Sequence, residues 1–301
     1  MERVHVQRHA IDSKPFREVT PKRNATLAEY FVEKRPTERN HFDWLATTGS
    51  NALASNSLFD PEPREMWTAA RAVAQGRAAT FAAGTASAAR VIVPFGDTRV
   101  EIDRFPDFVN GMPSYWLEGW YCATLTRDAA CLELLAQVPD EIFRNSRVQS
   151  AGHQEPWRGA LIAHYKGQDP TPMIERALFL NEPARLAKPW TRLDVVKLWT
   201  ARFNVLLPLF RRDAEGFNRA VVNALEVHKK FYGTKRESQH EYGFLAMEQA
   251  AFCAVAHDAG LPIEVESEYL PSSLIQRAPL RESAAKPAAK RPAKPLRGRR
   301  R

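Results

Sequence analysis

The spacing of apolar residues along the chain predicts a mostly helical protein. Apolar side chains recur every three or four residues over long windows, a period typical of helices that place one face in a core. The clearest case is residues 63–86, whose apolar side consists of Trp67, Ala70, Ala74, Ala78 and Phe81. Small alanines on that side favour close packing of a neighbouring helix. Further helices are predicted over residues 24–34, 40–58, 155–167, 170–180, 192–210, 213–233 and 241–260.

Capping residues and prolines predict where several of these helices begin and end. Asp213 is placed to cap the start of the helix over 213–233, and Gly233 follows its end. Ser114 is expected to cap a helix that starts after Pro113. Pro208 is expected to break the helix over 192–210, because proline removes a backbone donor.

One stretch has the pattern of a β-hairpin instead. Two β-branched runs, Val91 to Val93 and Val100 to Ile102, flank a Gly-Asp turn at Gly96. A two-stranded ribbon is marginal alone, so it has to lean on helices. The predicted fold class is therefore all-α: antiparallel helix pairs packed as a bundle or short solenoid, with one small β-hairpin near residues 90–102.

An acidic stretch near the C-terminus is the main candidate for function. Ile263 and Val265 alternate with Glu264, Glu266 and Glu268. In an extended strand these three carboxylates lie on one side, about 7 Å apart. A metal site, a solvated face and a surface that a partner recognises all fit this pattern, although no Asp-x-Asp-x-Asp-Gly loop supports a metal. Tyr269 follows them and is expected to anchor an interface.

The distribution of charge separates the C-terminal tail from the rest of the chain. The net charge is +8, and residues 281–301 contain nine Lys or Arg against one Glu, so residues 1–280 sum to zero. The tail is rich in Ala, Pro and Lys and is predicted to be disordered. Such a tail can bind phosphate backbones weakly and without sequence preference. Its candidate contacts are Lys290, Arg291, Lys294, Arg297, Arg299, Arg300 and Arg301.

These patterns divide the chain into three parts. Residues 1–22 are expected to form a partly ordered N-terminal arm, residues 23–278 a single helical domain, and residues 279–301 the disordered basic tail. The N-terminus lacks the apolar core of a signal peptide, and the three cysteines are odd in number and lie in apolar stretches. A cytoplasmic protein with buried, unpaired cysteines and no membrane association is expected.

The other candidates for chemistry have structural explanations. His228 and His257 lie near the ends of consecutive helices, where antiparallel packing would separate them, so they are expected to pack and not to share a metal. Trp116 and Trp120 have the i, i+4 spacing of core residues. The common hydrolase, nucleotide-binding and zinc-protease motifs do not occur. We expect no catalytic residue, metal or cofactor.

Four segments, in order and spacing, resemble the immunity protein 49 family of bacterial polymorphic toxin systems. The resemblance covers roughly residues 62–275, and its most specific part is the closing block. The segments are MWTAARAVAQGRAATFAA, YWLEGWYCATLTRDAACLELLAQVP, FNRAVVNALEVHKKFYG and AFCAVAHDAGLPIEVESEYLPSSLI. This resemblance implies a mostly α-helical cytoplasmic protein that binds a cognate toxin and blocks it without catalysis.

Two other functions stay open at the level of sequence. A nucleic-acid-associated helical protein would act through the basic tail, and its binding would depend on salt. An enzyme would use the three glutamates with a metal ion. Under the immunity hypothesis, Glu264, Glu266, Glu268 and Tyr269 form the surface that contacts the toxin.

Overall fold

The fold is mostly α-helical, as predicted. A computed structural model describes residues 3–33, 36–59, 62–105, 112–146, 151–186 and 192–277. The helices are α1 (Lys14–Glu33), α2 (Arg39–Asn56), α3 (Pro63–Thr85), α4 (Pro113–Thr126), α5 (Ala129–Ala136), α6 (Glu141–Arg144), α7 (Gln154–Tyr165), α8 (Thr171–Leu180), α9 (Leu193–Phe210), α10 (Ala214–Tyr232), α11 (Met247–Asp258) and α12 (Ser272–Ile275). Short 3₁₀ turns occupy Pro183–Arg185 and Glu241–Gly243.

Two small β-ribbons accompany the helices in the described residues. The predicted hairpin is confirmed: β2 (Arg90–Phe95) pairs antiparallel with β3 (Thr98–Asp103). Gly96 turns the chain with φ of 55°, a left-handed conformation that glycine adopts without strain. The second ribbon was not predicted, because it joins β1 (Val4–His5) in parallel to β4 (Val265–Glu266) from the far end of the chain.

Helix α3 lies at the centre of the core, and α2 packs against it very closely. A Cβ atom on Gly76 would lie 2.7 Å from the carbonyl oxygen of Phe42, and one on Gly49 would lie 2.8 Å from that of Ala69. Side chains at these two positions would therefore push the helices apart. This contact uses Ala69, Ala72 and Gly76, on the side of α3 opposite to the alanine-rich side that the sequence singled out, and that alanine-rich side is buried as well.

The aromatic and sulfur residues of the middle segment lie inside the core. Trp116 and Trp120 are buried and stack on each other, with ring centroids 4.8 Å apart. Cys122, Cys131 and Cys253 are buried and unpaired, as their apolar surroundings predicted. Burial raises the pKa of all three thiols, so they remain protonated at neutral pH.

Several helix boundaries differ from the prediction. Helix α1 begins at Lys14, ten residues early, and continues through Pro21. Ser114 lies inside α4 and does not cap it, since the helix starts at Pro113. Helix α9 continues through Pro208 to Phe210, because a proline in the last turn removes only one hydrogen bond. Asp213 caps α10 as predicted, accepting a hydrogen bond from the Gly216 N–H.

The predicted domain boundaries can be compared with the helices at the N-terminal end, whereas the C-terminal tail falls beyond the described residues. The boundary between an N-terminal arm and a helical domain, placed after residue 22, falls inside α1. The basic tail at 279–301 lies outside the described residues. Among the helices that the structure describes, none is long and apolar enough to cross a membrane.

Candidate functional site

The three glutamates of the C-terminal stretch lie along strand β4 and beside it. Glu266 and Glu268 are exposed, Glu264 is half-buried, and Val265 between them is buried. This is the alternation that the sequence predicted for an extended segment. We refer to Glu264, Glu266 and Glu268 with the backbone between them as the acidic strand.

Residues 3–9, which we call the N-terminal segment, lie against the acidic strand. The Val4 N–H donates to the Glu264 carbonyl (2.8 Å) and the Val6 N–H to the Glu266 carbonyl (2.9 Å). Arg3 forms an ion pair with the Glu266 carboxylate. The negative charge of the acidic strand is thus partly balanced by residues that are distant in sequence.

Glu268 interacts with two other residues of the N-terminal segment. Its carboxylate accepts a hydrogen bond from the Arg8 N–H (3.0 Å), and His5 Nε2 lies 3.8 Å from it. Partial burial would raise the pKa of Glu268. Backbone N–H groups and the charges of His5 and Arg8 outweigh that effect, so the pKa lies below its ordinary value.

Tyr269 is not an accessible interface anchor, which corrects the prediction made from the sequence. Its side chain is fully buried, and its hydroxyl accepts a hydrogen bond from the His9 N–H (3.0 Å) and lies 2.6 Å from His9 Nδ1. Burial raises its pKa to about 12. The alternation itself predicts that Tyr269 is buried, because the odd-numbered Val265 and Tyr269 share the face opposite the glutamates.

A cavity of about 500 Å³ lies between α2, α4, α9, α10 and the start of α11. We call it the central cavity, and the residues that characterise it are Glu118, Tyr121, Arg202, His228, Tyr242 and Glu248. A second cavity of about 360 Å³, lined by residues that include His164 and Tyr165, lies against α4, α7 and α11.

Glu248 is the centre of one polar network in the wall of the central cavity. Tyr121 donates to one carboxylate oxygen (2.7 Å) and accepts from Trp157 Nε1 (2.9 Å). Arg202 Nε lies 2.9 Å from the other oxygen, in an ion pair whose N–H is not aligned as a hydrogen bond. Burial raises the pKa of Glu248 although the Arg202 charge opposes it.

Glu118 is the centre of a second network on the same cavity. Arg77 Nε donates to one carboxylate oxygen at 2.8 Å, and the Ser50 hydroxyl donates to the other at 2.5 Å. The Arg77 and Glu118 side chains are 3% and 5% exposed. The Arg77 guanidinium also lies over the ring of Tyr115, 3.8 Å from its centroid. A buried pair with this many partners is fully satisfied.

His228 leaves one buried nitrogen of the cavity wall without a partner. Its Nε2 lies 3.1 Å from the Gly243 carbonyl oxygen, while Nδ1 has no hydrogen-bond partner among the described residues. Burial and the Arg202 charge lower its pKa to about 3, so the imidazole is neutral. Since Nε2 is the donor to the carbonyl, Nδ1 is a free acceptor.

The mouth of the cavity is formed by the segment between α10 and α11. Tyr242 is half-exposed there, and its ring stacks on that of His240 with centroids 5.2 Å apart. Glu241 is paired with Arg23 of α1 at 3.2 Å. The mouth is therefore connected to the N-terminal half of the chain.

The remaining acidic and histidine residues that the structure describes are paired or isolated from one another. Within the described ranges no group of three His, Cys, Asp or Glu could hold a metal ion, the acidic strand included. Asp258 is bound by Arg127 (2.9 Å), and His257 beside it lies 3.4 Å from its carboxylate. The groups that the described site presents are hydrogen-bonding side chains, aromatic rings and paired charges.

Sequence reasoning missed the central cavity. Glu118 and Glu248 each lie in an apolar helical window, YWLEGWYC and LAMEQAAFC, where an acidic residue is out of place unless it is paired. Arg77 is likewise a charged residue inside an apolar stretch, that of the alanine-rich helix. These isolated charges indicated that buried ion pairs would form. Which residues pair across helices could not be predicted from their spacing in the sequence.

The chain is thus a mostly helical protein with paired charges buried beside a cavity. The sequence model of the immunity protein 49 family matches residues 60–274, so this chain belongs to that family. No curated protein and no solved structure matches the chain.

Proposed function

We propose that this chain neutralises the protein toxin of a bacterial polymorphic toxin system by binding it in the cytoplasm. The observation that carries the proposal is membership of the immunity protein 49 family over residues 60–274. The chain acts by occlusion and not by catalysis. The buried Cys122 thiol, whose pKa is raised by burial, stays protonated and is a poor nucleophile.

The acidic strand is the proposed contact surface for the toxin. The side chains of Glu266 and Glu268 are 53% and 47% exposed and already hold basic groups of the N-terminal segment. A basic surface of the toxin would compete with Arg3 for the Glu266 carboxylate and with His5 for that of Glu268. Complementary charge of this kind speeds association and selects the partner.

The proposal predicts that a neighbouring gene encodes the toxin, and the function is tested by co-expression with that toxin. The full chain is expected to restore growth and to co-elute with the toxin in size-exclusion chromatography. A chain that neither protects the cell nor co-elutes with the toxin would end the proposal.

The contact surface is tested by reversing its charge. The double variant Glu266→Lys/Glu268→Lys is expected to raise the Kd for the toxin roughly 10- to 100-fold, mainly by slowing association. The matched control is Glu215→Lys, which reverses an exposed carboxylate on α10. If both variants bind as the wild type does, the toxin contacts another surface.

The basic tail supports a second, weaker activity. Its net charge of +8 favours non-specific, salt-dependent contact with nucleic acid. Deletion of residues 281–301 is expected to abolish such binding and to leave protection against the toxin unchanged. Loss of protection in this deletion would instead make the tail part of the toxin-binding surface.

A further inference from the structure

One edge of the β-hairpin has free backbone hydrogen-bonding groups. The two-residue turn at Gly96 makes Phe95 and Thr98 a hydrogen-bonded pair, and such pairs recur at every second position of an antiparallel ladder. Even-numbered residues of β3 therefore bond to β2, and odd-numbered residues direct their N–H and C=O groups away from it. No other described group bonds to the backbone at those outward positions, which are Arg99, Glu101 and Asp103.

The other edge of the hairpin is protected against pairing. Pro94 occupies an outward position on β2, where it has no N–H to offer and where a strand tolerates proline. Edge strands commonly carry such protection, because a free edge pairs with other chains. Strand β3 is six residues long and contains neither proline nor glycine. What protects this edge is charge.

The charges on β3 alternate in a way that fits a second copy of the same strand. Arg99 and Glu101 are exposed on one face of the hairpin. Glu101 pairs with Arg90 of β2 at 3.1 Å, whereas Arg99 has no ion pair within the described ranges. When two β3 strands lie antiparallel about Val100, each Arg99 lies opposite Glu101 of the other copy. Opposite charges directly across a ladder stabilise it.

The same register satisfies the backbone and the apolar face. Arg99 and Glu101 both occupy outward positions, so each pair between the copies exchanges both of its N–H···O bonds. Val100 is half-buried at the border of the core, and it meets its own counterpart in a non-hydrogen-bonded pair on the other face. A register centred on Glu101 would instead place two carboxylates directly opposite each other, which is unfavourable.

We infer that β3 pairs antiparallel with β3 of a second copy of this chain, about a two-fold axis at Val100. The two hairpins then form one four-stranded sheet, with β2 and its Pro94 at each outer edge. The seam is about five residues long, so the dimer is weak, with a Kd on the order of 100 µM. This association does not use the acidic strand, so it stands or falls separately from the immunity function.

Charge variants of the full chain test the inference in sedimentation equilibrium. The wild type is expected to change from monomer to dimer between about 10 µM and 1 mM. Glu101→Arg places arginines opposite each other and is expected to raise the dimer Kd at least about tenfold. The charge swap Arg99→Glu/Glu101→Arg restores the complementary pairs and is expected to return the Kd to within about threefold of the wild type.

Proline variants test the backbone contacts. Arg99→Pro removes an outward N–H, keeps the bonds between β3 and β2, and is expected to abolish the dimer. The matched control is Ile92→Pro, which places a proline at an outward position on β2. Its dimer Kd is expected to equal that of the wild type, because β2 lies outside the seam.

Cysteine cross-linking tests the register. Val100→Cys is expected to form a disulfide between two copies under mild oxidation, because Cα atoms in a non-hydrogen-bonded pair lie about 4.5 Å apart. The native cysteines are buried and should not compete. The control Thr98→Cys is exposed but lies opposite Ile102 of the other copy, so it is expected to form no such disulfide.

Three results would overturn the inference. One is a wild-type chain that stays monomeric up to about 1 mM. Another is an unchanged dimer Kd in a folded Glu101→Arg variant, which also decides the matter if Arg99→Pro does not fold. The third is cross-linking of Thr98→Cys or Glu101→Cys as readily as Val100→Cys, which would remove the two-fold axis from Val100.

Discussion

Arginine–glutamate pairs occur in two different surroundings in this protein. The Arg77–Glu118 pair is buried beside the central cavity, with Ser50 completing its hydrogen bonds. The Arg3–Glu266 pair lies on the acidic strand, with both side chains more than half exposed. The same chemistry is therefore a fixed part of the core in one region and an exchangeable surface contact in the other. Burial, and not the number of acidic residues, decides which charges the fold depends on.

The largest expected effect is in the buried pair. Glu118→Ala removes the nearer of two carboxylates around the buried Arg77, which then has only Asp43 at 3.8 Å, and is expected to lower the free energy of unfolding by about 3–5 kcal/mol. Urea denaturation measures this loss. The double variant Arg77→Met/Glu118→Leu removes both charges and is expected to recover most of it. A loss under about 1 kcal/mol for the single variant would mean that this pair behaves like a surface pair.

The next effect concerns pH and the buried histidines. Burial lowers the pKa of His153 to about 4 and that of His228 to about 3, while an unfolded histidine titrates near 6.5. The unfolded state therefore binds more protons between these values. The contribution of these two neutral histidines to the free energy of unfolding is complete above about pH 6.5. It decreases as the pH drops, by up to about 1.4 kcal/mol per pH unit for each histidine.

His153 offers a way to isolate one of these contributions. Its ring packs on Trp199 and Phe203, with centroids 4.7 and 5.5 Å away, and both nitrogens lack partners among the described residues. His153→Phe keeps the ring contacts and removes the titration. Unfolding curves between pH 4 and 7 are expected to show a shallower fall for this variant. An unchanged slope would contradict the assignment.

A smaller effect is expected where a hydroxyl links two buried groups. Tyr121→Phe removes the hydroxyl that accepts a hydrogen bond from the Trp157 N–H and donates one to Glu248. The expected cost is about 1–3 kcal/mol in urea denaturation. Tyr165→Phe is the control, because that tyrosine is 38% exposed. Equal stability of the two variants would show that the hydroxyl of Tyr121 contributes little.

The smallest effect is expected on the acidic strand. Glu266→Gln removes the carboxylate that pairs with Arg3 and is expected to change the free energy of unfolding by less than about 1 kcal/mol. In 1 M salt the difference between variant and wild type should disappear, because exposed charges are screened. A loss of several kcal/mol would place this pair with the buried one and remove the distinction between the two regions.

Local patterns predicted the helices and the hairpin, but contacts across the chain were beyond them. Periodicity and the turn at Gly96 depend on neighbouring residues, so both can be read from sequence. The pairing of Val4 with Val265 joins two-residue strands from opposite ends of the chain, which leaves no periodic trace. The central cavity depends in the same way on side chains that meet only after folding.

The acidic strand shows a partial success of the same reasoning. Alternation correctly placed Glu266 and Glu268 on the exposed side. The same alternation was not applied to Tyr269. Its aromatic side chain suggested an interface, but its position in the alternation places it in the core, where it lies. Position in a pattern was more informative than residue type here, because burial is set by geometry.

The ribbon between β1 and β4 has a consequence for how the protein is made. Glu264 and Glu266, whose carbonyls accept from the Val4 and Val6 N–H groups, are translated roughly 260 residues after those two valines. At ordinary rates of translation that delay is about 10–50 s. During this time apolar Val6 has no strand to pair with, so a newly synthesised copy can complete this ribbon only after Glu266 has left the ribosome.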